Sequence, residues 1–132
     1  MSKKIIHTAG KRKTAIARAT LSEGTGVVRV NSILLDNFQP KILQLKMKEP
    51  LILAGDLASN VDIKVNIKGG GQASQIDAAR LAIGRALAKH NKKLEKVFLS
   101  YDRNMLVADV RRKEPCKPND SKARAKRQKS YR

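Results

Sequence analysis

VDIKVNIKGGGQASQIDAARLAIGRALAKH, residues Val61 to His90, decides the reading of the fold. Val61, Ile63, Val65 and Ile67 alternate with Asp62, Lys64, Asn66 and Lys68, the period of a strand with one buried and one wet face. Gly69-Gly70-Gly71 ends that pattern. From about Gln72 to His90 the period becomes helical, with Ile76, Ala79, Ile83, Ala86 and Leu87 on one stripe, Arg80 at its flank, and Arg85 and Lys89 further round. A strand running through glycines straight into a long helix is the centre of an α+β domain.

Working outward toward the N-terminus, Thr14 to Leu21 also alternates, with Ala15, Ala17, Ala19 and Leu21 on one side. Alanines are too small to fill space, so a neighbouring element must approach that side closely. Ser22 to Gly26 reads as a hairpin loop leading to a strand through Val27, Val28 and Val30, with a turn at Asn31-Ser32 before Ile33-Leu34-Leu35. Asp36 or Asn37 is expected to cap a helix with Pro40 in its first turn, and Pro50 to restart a short helical piece ending at Gly55. Beyond the long helix, Asn91 to Lys96 reads as a polar break. Val97-Phe98-Leu99 is an apolar anchor, and Met105 to Ala108 reads as a final strand.

Charge separates the chain into two parts. Residues 1–110 form the expected globular body, and residues 111–132 a basic tail. The tail holds ten Lys or Arg against two acids, a net +8, which leaves +10 of the chain's +18 on the body. With Tyr131 as its one aromatic, the tail buries too little apolar surface to order itself and is expected to be disordered from about Lys113 when free. Release of counterions from phosphates favours nucleic acid as partner for such a surplus. Aromatics make up only 3%, which disfavours broad base stacking on a sheet. A membrane is not expected as partner. No apolar run approaches the ~20 residues that span a bilayer, and neither a signal-peptide pattern nor a lipidation motif is expected. A single cysteine, Cys116, rules out an internal disulfide and fits a reducing compartment.

Catalytic constellations fail on inventory. GGGQASQ lacks the Lys-Ser/Thr of a P-loop and the spacing of a dinucleotide fingerprint, so Gly69, Gly70 and Gly71 read as a tight connection or a phosphate contact. His7 and His90 lie in separate segments without a second ligand at metal spacing, so neither metal nor cofactor is expected. Asp102 and Asp109 are expected to pair with Arg103, Arg111 or Arg112 as ordinary structure. Two alternatives stay open: a small phosphate-handling enzyme built on the glycine turn, and a free nucleic-acid chaperone. Saturable binding of a small nucleotide would favour the first.

The basic residues fall into two foci. Lys11, Arg12, Lys13 and Arg18 adjoin a glycine and a strand start, so their position is fixed. The tail supplies Arg111, Arg112, Lys113, Lys122, Arg124, Lys126, Arg127 and Lys129. A fixed cluster joined to a mobile tail suits docking on structured RNA and reaching into it.

Several stretches carry a family resemblance: GKRKTAIARATL (Gly10 to Leu21), VRVN (Val28 to Asn31), IKGGGQASQIDAARLAIGRAL (Ile67 to Leu87), SYDRNMLVADVRRKEP (Ser100 to Pro115) and the terminal QKSYR (Gln128 to Arg132). The chain resembles ribosomal protein nine of the small subunit, in its archaeal and eukaryotic branch; the bacterial branch typically ends in Ser-Lys-Arg. It departs from the pattern at Cys116 to Ser121, which replaces a glycine-rich spacer, and at Val110, which replaces a common proline. The resemblance implies an α+β domain with a roughly four-stranded sheet, helices on one face and a left-handed βαβ crossover. It also implies a place in the head of the small subunit, bound to its ribosomal RNA beside other head proteins. Ser130, Tyr131 and Arg132 would then meet transfer RNA in the peptidyl site.

Overall fold

The computed structural model describes residues 4–126. Strands β1 (Ile6–Arg12), β2 (Ala15–Glu23), β3 (Val28–Val30) and β4 (Ile33–Leu34) precede helix α1 (Lys41–Ala54). Strand β5 (Val61–Lys68), helix α2 (Gln72–His90) and helix α3 (Lys93–Tyr101) follow. The sheet has five strands in the order β1-β2-β5-β3-β4, not the roughly four expected. β5 runs antiparallel to β2 and parallel to β3, so the connection through α1 joins two parallel neighbours.

The strand–glycine–helix unit is at the centre, as its periodicity requires. α2 begins at Gln72 and ends at His90, and it lies across β1, β2 and β5. The alanine side of β2 does admit a close neighbour: Ala15, Ala17 and Ala19 are buried. Gly10 on β1 lies so near α2 that a Cβ would collide with the Ala78 carbonyl and come within 2.8 Å of the Ala82 amide. Only glycine permits that approach. The Thr8 hydroxyl donates to the Ala82 carbonyl at 2.8 Å, so this buried polar group facing α2 from β1 is satisfied.

Several sequence expectations are overturned. Ser22 to Gly26 is not a hairpin loop, because β5 inserts between β2 and β3. Asp62 on β5 holds that crossing: its Oδ1 accepts from the amides of Thr25 at 2.8 Å and Val27 at 2.9 Å. α1 is one helix with Pro50 inside it, and Asp36 and Asn37 belong to a preceding 3-10 turn rather than to its cap. Pro50 is fully buried, and packing of its ring outweighs the lost backbone hydrogen bond. α1 points Gln44 and Met47 inward, while Ile42 and Leu45 are exposed. The Gln44 amide donates to the Leu35 carbonyl at 2.8 Å, which makes its burial tolerable.

The polar break is confined to Asn91 and Lys92. Leu94 and Phe98, one helical turn apart, anchor α3, whereas Val97 and Leu99 are exposed. Met105 to Ala108 is not a strand. A 3-10 turn over Arg103–Met105 plugs Met105 into the core, and the chain leaves it without regular structure.

Every helix contact falls on one side of the sheet. On the other side His7, Lys11, Ile16, Arg18, Arg29, Lys64, Asn66 and Lys68 are exposed, alternating with buried neighbours along each strand. The sheet is therefore open on one face.

Candidate nucleic-acid interface

The root of the tail is tied to the first strand through one carboxylate. Asp109 accepts from the Arg111 backbone amide at 2.9 Å and takes its guanidinium in a fork, with Nε at 3.0 Å and Nη2 at 2.7 Å from Oδ2. Arg12 reaches the same oxygen with Nη1 at 3.0 Å. The Arg111 guanidinium first, its amide next, and Arg12 in addition hold the Asp109 carboxyl far below the usual carboxylate range.

Behind this clamp lies a layer of paired charges. Arg12 also faces Asp77 at 3.7 Å, and Lys46 on α1 meets Asp77 at 2.6 Å. Arg80, with 10% of its side chain exposed, bridges Glu49 on α1 and Asp102 at 3.0 Å. The amide of Asn104 first, and then Arg80, lower the pKa of Asp102. Arg85 donates to the carbonyls of Leu106 at 2.9 Å and Ala9 at 2.8 Å, stitching the exit segment to β1. Arg80 Nε has no hydrogen-bond partner among the described residues, so charge rather than complete hydrogen bonding holds this layer. Asp102 therefore pairs with Arg80 and not with Arg103, while Asp109 pairs with Arg111 as expected and with Arg12 besides.

The two basic foci meet. Lys11, Lys13, Thr14 and Ile16 line one concavity of about 850 Å³ together with Arg111, Arg112 and Lys113. Arg12, from the same cluster, turns inward to the clamp, whereas Lys11 and Lys13 face solvent without an ion pair among the described residues. The glycine turn lies beside them. Gly69 and Gly70 have φ of +76° and +70°, and a Cβ on Gly70 would lie 2.9 Å from the Ala15 Cβ. Their glycine character thus follows from packing on the β1–β2 turn. A Cβ on Gly71 would meet nothing within 4 Å.

Further along, Glu114 accepts from Arg124 at 2.8 Å and Lys117 at 3.1 Å, and Lys117 also donates to the Ala123 carbonyl at 2.9 Å. Hydrogen bonds from Arg124, then Lys117, lower the Glu114 pKa. The Cys116 to Ser121 segment therefore closes as a surface loop rather than running straight, with Cys116 exposed and Lys122 and Lys126 facing solvent. Arg127, Lys129, Ser130, Tyr131 and Arg132 lie outside the described residues. Arg18 sits on the open face, beside three cations that no sequence motif marks as a site: Arg29, Lys64 and Lys68. The alternation in Val61 to Lys68 was the available signal, but only the strand register joins it to Arg18.

These features define a basic α+β domain in which one layer between the helices and the tail root is charge-paired, whereas the cations of the rim and open face have no carboxylate partner among the described residues. Residues 10–132 match the profile of the family described as Ribosomal protein S9/S16, and the chain belongs to that family. It is 52% identical to small ribosomal subunit protein uS9 of Methanococcus vannielii over 133 aligned positions, covering 98% of this chain and 99% of that protein. It is 53% identical, with the same coverage, to the protein of that name from Methanococcus maripaludis strain C7. Both relatives fit the archaeal side of the resemblance. Members of the family are ribosomal proteins rather than enzymes.

Proposed function

We propose that this chain is a structural constituent of the small ribosomal subunit in the cytoplasm. It binds ribosomal RNA of the head through the β1–β2 turn and the tail root, beside other head proteins. The observation that carries this reading is the convergence of Lys11, Lys13, Arg112 and Lys113 around one concavity, with no carboxylate pairing any of them among the described residues. Such a cluster repels itself when free, and phosphates relieve it. Replacing these four residues by Gln tests the reading by co-sedimentation with subunits in high salt. Loss of the protein from subunits supports it, and full retention rejects it.

The finer part of the proposal concerns the terminus. The span from Ser121 to Arg132 would reach at most about 40 Å if extended at ~3.3 Å per residue, well beyond the body. Arg132 brings a guanidinium suited to a phosphate fork, and Tyr131 brings a ring that stacks. Ser130, Tyr131 and Arg132 contact transfer RNA in the peptidyl site. Deleting Tyr131 and Arg132 is expected to leave assembly intact and to weaken that ligand by about 1–3 kcal/mol at most, the range of one or two charge-assisted contacts. Equal dissociation rates of peptidyl-site transfer RNA from full-length and truncated subunits would leave the tail as a ribosomal-RNA anchor only.

A further inference from the structure

We propose that the open face of the sheet is a second RNA contact, a platform for the backbone of an A-form duplex. It rests on the reading of this chain as an RNA-binding ribosomal protein, and it extends from the β1–β2 turn, with which it shares Lys11, across β2, β5 and β3.

Five cations define the platform: Lys11 on β1, Arg18 on β2, Lys64 and Lys68 on β5, and Arg29 on β3. All five are exposed, and none has a carboxylate within ion-pair distance among the described residues. The strand register fixes their layout. Lys11 opposes Ile16, which opposes Lys68; Arg18 opposes Asn66; Arg29 opposes Lys64. With strands about 4.8 Å apart and about 3.3 Å per residue along each, the cations span a patch of roughly 14 by 13 Å. Asp62, the acid on the same side of β5, has its Oδ1 turned to the amides of Thr25 and Val27.

Three features point to duplex backbone. The patch extends in two directions, so it suits two rows of phosphates rather than a single strand lying along a groove. It carries no Phe, Tyr or Trp on any of its strands, and its one imidazole, His7, is bonded to the Thr20 hydroxyl at 3.2 Å, so it lacks the ring platform on which single-strand-binding sheets stack splayed bases. Its remaining polar groups, Asn66 and Thr20, suit the 2′-hydroxyls displayed in the shallow minor groove of an A-form helix. The pairing of Arg29 with Lys64 adds a separate argument. Like charges directly opposite on adjacent strands destabilise an isolated sheet, and a polyanion on that face removes the penalty.

The test uses the full chain and two probes, a 16-base-pair RNA duplex and a single-stranded uridine 16-mer. One variant carries Arg18→Gln, Arg29→Gln, Lys64→Gln and Lys68→Gln. A control removes the same charge at the α2–α3 turn, with Lys89→Gln, Lys92→Gln, Lys93→Gln and Lys96→Gln. All eight side chains are exposed, so both proteins fold, and melting curves check it. The expected result is a loss of duplex affinity of about tenfold or more in the face variant, with the slope of log K against log salt reduced by about three units. The control should lose less than a third as much on the logarithmic scale. Equal losses in both variants would reduce the effect to net charge and overturn the platform. So would a loss confined to the single-stranded probe. Failure of the wider reading looks different, since the wild-type protein would then show no salt-dependent affinity for either RNA.

Discussion

The charged layer under the helices and the open face of the sheet hold the same residue types in opposite states. On the helical side Arg12, Lys46, Lys48 and Arg80 each face a carboxylate. On the open side Arg18, Arg29, Lys64 and Lys68 face none among the described residues. Net charge alone cannot distinguish these two populations. The paired set ties α1, α2 and the tail root into one body, and the unpaired set remains available to a partner. A substitution on each side should therefore register in a different measurement: stability for the first, RNA affinity and salt dependence for the second.

Arg80→Met should produce the largest effect. Its removal leaves Glu49 and Asp102 without their shared cation at a site that is nearly buried. Breaking a fully buried pair costs about 3–5 kcal/mol, but both carboxylates are about a third exposed, so a loss of roughly 2–3 kcal/mol is expected. Urea unfolding of the purified protein measures it. A variant as stable as wild type would show that the helical-side pairs are decoration, and the contrast between the two sides would collapse.

Gly70→Val comes next. Its backbone lies at φ +70° and its Cβ would press on Ala15, so strain alone should destabilise the free protein by about 1–3 kcal/mol. Gly71→Ala, by contrast, meets open space at an ordinary φ and should melt like wild type. Unchanged melting of the Gly70 variant combined with poor incorporation into subunits would move the role of this turn from packing to RNA.

How much of this was legible in the sequence depends on the distance between partners along the chain. β5, the glycine turn and α2 were readable because each is a local period, and the helix ends fall where the pattern changes. β1 escaped notice because its inward residues are Ile6, Thr8 and Gly10, chosen for closeness to α2 rather than for apolarity. β3 reads as one arm of a hairpin because nothing local reveals that β5 will insert beside β2. α3 was hidden by its lysines, although Leu94 and Phe98 already stood at helical spacing. The site divided in the same way. Lys11, Lys13 and the tail cations were visible as runs, but the inward turn of Arg12 depends on Asp109, near the other end of the chain.

The Asp109 clamp sharpens the comparison through pH. Its carboxyl is held below the ordinary value in the folded chain, so its contribution is complete above the unfolded pKa of about 3.9 and is lost as pH falls from there toward the folded value. Neutral and mildly acidic buffers should leave the tail root in place. Below about pH 4 the root should loosen while Leu94, Phe98 and Met105 keep the body packed. Trypsin cleaves too poorly there to report this, so amide exchange at Val110 to Arg112 is the measurement. Asp109→Asn should show the faster exchange already at pH 7. Equal exchange in the two proteins at pH 7 would mean that Arg85 and the 3-10 turn fix the root without the clamp.

The smallest expected effect has the opposite sign. Lys64 stands directly opposite Arg29 on the neighbouring strand, with both side chains on the open face and no carboxylate pairing either of them. Like charges in that position disfavour the folded sheet, so Lys64→Gln should stabilise the free protein by about 0.2–0.5 kcal/mol at low salt. Screening shortens the reach of the repulsion to a few ångströms at high ionic strength, so the gain should fade toward zero near 1 M salt. The wild-type protein should itself become more stable as salt rises over the same range, and the variant less so. Paired urea titrations at low and high salt read all three quantities. A substitution that makes the protein less stable would mean that Lys64 has a partner within the fold. The open face would then hold the same kind of paired charge as the helical side.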